Sequence, residues 1–119
     1  DTHGHAVGDQ VLQATAKIMT QNMRAGDLLA RWGGEEFLAL LPRTSPTAAL
    51  EAAERIREAV EAFTLSVSDT NTQVRVTVSF GVSSVRCLDD LQAATARADQ
   101  ALYASKDNGR NRVTLAEDQ

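Results

Sequence analysis

From Ala6 to about Met23 the chain repeats apolar residues at helical intervals. Val11, Leu12, Ala16, Ile18, Met19 and Met23 share one broad face, which predicts an amphipathic helix. Asp9, near its start, suits the positive end of a helix dipole. The pattern breaks at Arg24-Ala25-Gly26-Asp27, with Gly26 a plausible stop. Between Leu28 and Leu41 two apolar runs flank Gly33-Gly34, a hairpin signal, and Pro42 ends the second run. Ser45-Pro46 then supplies a hydroxyl cap and a first-turn proline. Behind them Leu50, Ala53, Ile56, Val60 and Phe63 recur at helical spacing, with Glu51, Glu54, Arg55, Arg57, Glu58 and Glu61 mostly between them.

Thr64 to Gln73 is polar, and Asp69, Thr70 and Asn71 mark a turn. Val74, Val76, Val78 and Phe80 alternate with Arg75, Thr77 and Ser79, which predicts a strand ended by Gly81 and Ser83-Ser84. Asp89 or Asp90 can cap a third helix whose apolar face is Leu91, Ala94, Ala98, Ala101 and Leu102, and which Gly109 ends. Asn111 to Leu115 offers a short last strand, and Ala116 to Gln119 reads as a frayed tail. The order helix, hairpin, helix, strand, helix, strand predicts an α+β sheet with helices packed on it. One strand ahead of Asp1 would make it βαββαβ, the ferredoxin-like arrangement.

Length fits one small domain over residues 1–119, without internal repeat or linker. Apolar residues at 43% and charged residues at 24% exclude a low-complexity chain. A net charge of −4 argues against a general nucleic-acid binder. No apolar run approaches a membrane span, and no secretory leader is visible. The single cysteine, Cys87, excludes an internal disulfide and reads as an inert, partly buried thiol in a reducing compartment. His3 and His5 stand too close together near a chain end to make a good metal pair. The chain opens at Asp1 with neither methionine nor lead-in element, and reads as cut from something longer.

Gly33-Gly34-Glu35-Glu36-Phe37 concentrates the chemistry. Glycines at a hairpin tip allow positive φ and close approach of a ligand to the backbone. Free N–H groups at such a turn can hold phosphate oxygens, and the carboxylates after them can hold Mg²⁺ shared with a triphosphate. Read alone, the same five residues fit a glycine turn followed by two solvated glutamates.

The surrounding motifs add to this. The segment resembles the signature of the GGDEF family of bacterial diguanylate cyclases, with Glu at its third position. Gly4-His5-Ala6-Val7-Gly8-Asp9 resembles that family's GHxxGD segment, and Arg31-Trp32 its Arg-aromatic pair. Residues 76–82 resemble its TVSxG strand. Ala98-Asp99-Gln100-Ala101-Leu102-Tyr103, Lys106 and Gly109-Arg110-Asn111 resemble its ADxALYxAKxxGRN helix end. The resemblance implies a nucleotidyl-cyclase-like fold of the ferredoxin-like kind. It also implies condensation of two GTP into cyclic di-GMP and two pyrophosphates by two facing domains. Glu35 would ligate Mg²⁺ or Mn²⁺ and help deprotonate the attacking hydroxyl, with Glu36 a second metal or base candidate. Gly33 and Gly34 would lie against the phosphates, Asp9 would read guanine, and Lys106 and Arg110 would contact phosphate. Asp99 and Tyr103 read as structural.

Arg24 and Asp27 match the family's RxxD pattern, which implies a product-inhibition site for cyclic di-GMP that Arg55 could complete. A surface turn with a local ion pair is the plain alternative for the same tetrapeptide. The family's first strand, with a metal-ligating Asp and a guanine-reading Asn, would lie ahead of Asp1, so the fragment alone is expected to have little or no activity. Ser105 for alanine and Trp32 for tyrosine read as harmless departures. The resemblance further implies a sensory or receiver domain upstream, a cytoplasmic location (free or as the cytoplasmic part of a membrane-anchored protein), and no contact with nucleic acid or membrane by this domain. A non-catalytic module binding cyclic di-GMP or GTP, and a purely structural dimerisation unit, are the competing readings.

Overall fold

The computed structural model describes residues 2–33, 36–67 and 72–116, and for residues 2–7, 33, 67, 72 and 88 the backbone alone. Helix α1 (Thr2–Gln21) leads into a hairpin of β1 (Leu28–Gly33) and β2 (Glu36–Leu40). Helix α2 (Pro46–Ala62) follows, then a second hairpin of β3 (Leu65–Val67) and β4 (Thr72–Val74). Strand β5 (Phe80–Val82), helix α3 (Leu91–Asp107) and strand β6 (Val113–Leu115) complete the order.

Helix α2 starts as its sequence predicts. The Ser45 hydroxyl accepts from the Ala48 N–H at 3.1 Å, and Pro46 occupies the first turn, where a missing N–H costs nothing. Its apolar stripe buries Ala53, Ile56 and Val60. Ile56 and Val60 join Met19 of α1 in the core. Leu29 and Phe37 of the first hairpin, and Val76, Val78 and Phe80, pack against that cluster. Burial of each such aliphatic side chain contributes about 1.5–3 kcal/mol.

Helix α3 covers the parallel pair β5–β6, in which Phe80 pairs with Val113 and Val82 with Leu115. It rests directly on Gly81: a Cβ there would fall inside the contact distance of the Ala98 carbonyl and the Leu102 amide. Gly81 therefore lies within β5, and not after a strand as predicted, because two backbones meet over it. Ser105 is fully buried on the same face. Its hydroxyl donates to the Phe80 carbonyl at 2.8 Å and lies 2.6 Å from the Thr114 hydroxyl. The departure from alanine thus supplies a cross-link between helix and sheet.

Several expectations change. Helix α1 begins at Thr2 rather than Ala6, since adding a turn to a formed helix costs little. Asp9 consequently stands about two turns inside it, beyond reach of the N-terminal dipole. The strand predicted over Val74–Phe80 is realised only at its ends, Val74 in β4 and Phe80 in β5. Residues 75–79 keep the alternation, with Arg75 and Thr77 exposed and Val76 and Val78 half-buried, but make no strand pairing. Alternation reports a buried face, whereas a strand also needs a neighbour at its edge. Among the described residues the strands accordingly form three two-stranded sheets. The β3–β4 hairpin falls in the stretch read as polar, and its turn at Asp69, Thr70 and Asn71 lies outside the described residues, as does the tail from 117. Asp90 caps α3 without a side-chain hydrogen bond and pairs instead with Arg97 at 3.5 Å. Cys87 is exposed, not partly buried, because it follows β5 by several residues in a surface loop.

Replacing Gly81 with alanine forces two backbones apart and should cost about 3 kcal/mol or more. Urea unfolding of Gly81→Ala should show that loss. A midpoint equal to that of the parent would contradict the direct contact of α3 with β5.

Candidate active site at the hairpin mouth

The first hairpin is antiparallel, with Leu28 opposite Leu40, Arg31 opposite Phe37 and Gly33 opposite Glu36. The register shifts between Arg31 and Gly33, and Trp32 is left 61% exposed. Gly34 and Glu35, between the strands, lie outside the described residues, as do the side chains of His3 and His5.

Glu36 opens β2 at the mouth of this hairpin. Its Oε2 stands 3.5 Å from Nζ of Lys106, which sits in the last turn of α3. Both side chains are about two-fifths exposed, so water competes with the pair and an incoming anion can reach the ammonium. The contact joins residues that are 70 positions apart (106 − 36). It exists because α3 is laid flat on Gly81 and Ser105, which carries the last turn of the helix to the hairpin.

Just beyond Lys106 the chain makes an unusual turn. Gly109, Arg110 and Asn111 all have positive φ, at 118°, 65° and 50°. Glycine adopts this region freely, asparagine tolerates it, and arginine pays on the order of 1 kcal/mol. Arg110 is exposed, and its guanidinium has no partner among the described residues. Arg57, Glu54 and Glu61 of α2 hold the turn from behind through Asn111. Arg57 grips Glu54 with two bonds, 2.8 and 3.0 Å, and donates to the Asn111 side-chain oxygen Oδ1 at 3.1 Å. Asn111 donates in turn to Glu61 at 2.5 Å. The hydrogen bond from Arg57 holds the Glu54 carboxyl below the usual carboxylate range, and the same bond raises Arg57. Charge alternation along α2 hints at Arg57, but nothing local in the sequence reveals its bond to Asn111, 54 residues away.

Asp9 is exposed on α1, with no side-chain bond among the described residues. Beside it Gly8 is helical, with open space where a Cβ would stand. No packing contact explains a glycine there, although it costs a helix about 1 kcal/mol relative to alanine.

A second feature occupies the far end of the hairpin. The Asp27 carboxylate accepts from the Arg24 N–H at 2.8 Å, while the Asp27 N–H returns to the Arg24 carbonyl at 3.0 Å. The Arg24 guanidinium donates to Thr44 at 2.6 Å and ties this turn to the one after β2. Gly26, with φ at 96°, makes the bend possible. Together they shape an open groove of about 270 Å³ lined by Arg24, Ala25, Gly26, Asp27, Pro42 and Arg43. Arg55 is exposed on α2 and does not line it. Strand rise puts this groove on the order of 15–20 Å from the hairpin mouth.

The fold and these motifs have close counterparts. The family described as diguanylate cyclase, GGDEF domain, matches residues 1–112, and the chain belongs to that family. It is 50% identical over 117 residues to diguanylate cyclase A of Treponema denticola, and 42% identical over 114 residues to the response regulator PleD of Caulobacter vibrioides. These matches cover 98% and 95% of this chain but 31% and 25% of those proteins, so the chain spans a third or less of their length. The GGDEF domain of DgcB from Caulobacter crescentus, solved with cyclic di-GMP, superposes with a TM-score of 0.91 at 39% identity, covering 99% of this chain and 70% of that one. SiaD of Pseudomonas aeruginosa, solved with its activator SiaC, gives 0.88 at 40% identity, covering 98% and 44%.

If Gly8 is kept open for a ligand approaching Asp9, Gly8→Ala should stabilise the unliganded fold by about 0.5–1 kcal/mol. It should also weaken calorimetric binding of a guanine nucleotide, used as the probe, severalfold. Higher stability with unchanged binding would show that nothing passes over Gly8.

Proposed function

We propose that this chain is one half of a diguanylate cyclase: each copy holds one GTP, and two copies facing each other join the two nucleotides. The observation that carries this reading is the Glu36–Lys106 contact. It brings the hairpin motif and the end of α3 to one exposed mouth, with a cation available for phosphate.

Within that site Gly33 and Gly34 let the triphosphate lie close to the backbone. Lys106 and Arg110 neutralise phosphate charge, Lys106 as a point charge and Arg110 as a fork of donors. Asp9 accepts from the N1–H and exocyclic amine of guanine. Glu35 takes the proton from the attacking 3′-hydroxyl, with Glu36 beside it. Each 3′-oxygen then bonds to the partner nucleotide's α-phosphorus and pyrophosphate leaves. The product contains two identical linkages, so a homodimer of half-sites fits its symmetry. In-line placement of the two nucleotides supplies most of the rate.

A divalent cation fits the donors available. No group of three or more metal-binding side chains gathers among the described residues. Glu36 offers one half-exposed carboxylate, next to Glu35. Mg²⁺ commonly takes one or two carboxylates plus substrate phosphates, and the donor set suits that sharing better than an all-protein cage. When bound, Mg²⁺ or Mn²⁺ would offset charge on the phosphates.

The groove at Arg24 and Asp27 is assigned to cyclic di-GMP, the ligand in the DgcB structure, acting as product inhibitor. Arg24 presents donors to phosphate or guanine, and the Asp27 carboxylate has an oxygen left for a guanine edge. Arg55 could join only from α2, outside the groove lining. No helix among the described residues is long and apolar enough to cross a membrane. With GTP as its substrate the domain would work in the cytoplasm, taking input from an upstream sensory or receiver domain.

Glu35→Ala in the full-length protein should lower cyclic di-GMP synthesis by at least about a hundredfold, with the fold intact by circular dichroism. Unchanged turnover would remove Glu35 from the chemistry. If the parent protein itself makes no cyclic di-GMP from GTP yet binds it, the non-catalytic module is the better reading. Arg24→Ala should retain synthesis but lose product inhibition, with calorimetric affinity for cyclic di-GMP falling at least about tenfold. Parent-like affinity would refute the inhibitory-site assignment.

A further inference from the structure

We propose that Arg57, Glu61 and Asn111 form a clasp that orients Arg110 toward the triphosphate, making Arg57 and Asn111 positioning residues of the cyclase site. This rests on the assignment of Arg110 as a phosphate-contacting residue.

Three observations converge on it. First, the turn is held in a conformation that the chain would not adopt unaided, with positive φ at three consecutive residues. Such a turn persists only where its surroundings over-determine it. Second, Asn111 is saturated from three directions. Its side-chain oxygen accepts from Arg57, its side-chain nitrogen donates to Glu61, and its backbone N–H donates to the Ser79 hydroxyl at 3.0 Å. Arg57 is itself fixed: only 17% of its side chain is exposed, Glu54 takes two of its donors, and Glu61 lies 3.5 Å away. Third, the neighbouring residue is held only by its backbone. The Arg110 N–H donates to Ser105 at 2.9 Å and its carbonyl accepts from Arg112 at 3.2 Å, while its guanidinium has no partner among the described residues.

The arrangement is economical. Asn111 next to Arg110 is pinned, the Arg110 backbone is bonded at both its N–H and its carbonyl, and what is left over is a planar donor fork four residues after Lys106. An arginine on a loose turn would sweep a wide cone and lose entropy on binding; on a clamped turn that loss is largely met beforehand. The clasp therefore acts on substrate affinity more than on the chemical step.

The test is steady-state pyrophosphate release by the full-length protein with GTP and saturating Mg²⁺. Asn111→Gly is the informative variant, because glycine takes positive φ freely: the turn can still form, but the side-chain bonds that restrain it are lost. The expected result is a KM for GTP raised about tenfold, kcat changed less than about threefold, and thermal stability close to the parent's. Arg57→Met, altered on the helix side, should give the same KM shift, and the double variant should be no worse than either alone, as expected of residues acting as one unit. Arg110→Ala is measured alongside. If it raises KM while Asn111→Gly and Arg57→Met keep the parent value, the clasp is overturned and the Arg110 assignment stands. If Arg110→Ala itself keeps the parent KM, Arg110 does not hold phosphate and the clasp falls with it.

Discussion

The structure depends on one close contact: helix α3 lying backbone to backbone on Gly81 of β5. No side chain separates them, so the helix axis is fixed at short range by van der Waals contact and by the buried Ser105 hydroxyl. Everything placed by α3 inherits that precision. Lys106 reaches Glu36 because its helix cannot ride higher on the sheet, and the strained turn beyond it begins from a fixed point. A larger residue at position 81 would move the cationic end of the site as a body.

The two candidate sites sit at opposite ends of the first hairpin, and their chemistry differs accordingly. At the mouth, half-exposed charges of both signs meet, an arrangement that an arriving metal–triphosphate complex can enter by exchange. At the other end the RxxD turn is already knitted by its own hydrogen bonds and by the tie from Arg24 to Thr44. That pre-organisation suits reversible recognition rather than turnover. A ligand in the groove would bear on both turns that flank the hairpin, so a mechanical link to the mouth exists in the paired strands themselves.

Much of this was legible in the sequence where a signal is local. Ser45-Pro46 announces its cap, the Gly-Gly pair announces its hairpin, and Lys106 and Arg110 stand out once the motif register is recognised. What failed to show is what depends on neighbours. The alternation over residues 74–80 marks a buried face but not whether a partner lies alongside, and residues 75–79 are unpaired. Three-residue strands such as β3 and β4 are too short to set a period. The start of α1 has no local signal, because residues 2–5 carry no apolar repeat although they continue a helix already formed. Cys87 read as partly buried by association with a strand that ends earlier, at Val82. The bond between Arg57 and Asn111 spans 54 residues and leaves no local trace.

If the hairpin mouth and the end of α3 make one triphosphate site, Lys106 must bear on nucleotide affinity. Calorimetric titration of the full-length protein with GTP and Mg²⁺, comparing the parent with Lys106→Ala, measures this. Affinity should be at least about tenfold weaker in the variant, since a partly desolvated phosphate contact is lost. Identical affinity in the two proteins would mean that Lys106 serves only its ion pair with Glu36, and the two motifs would then be neighbours without a common ligand.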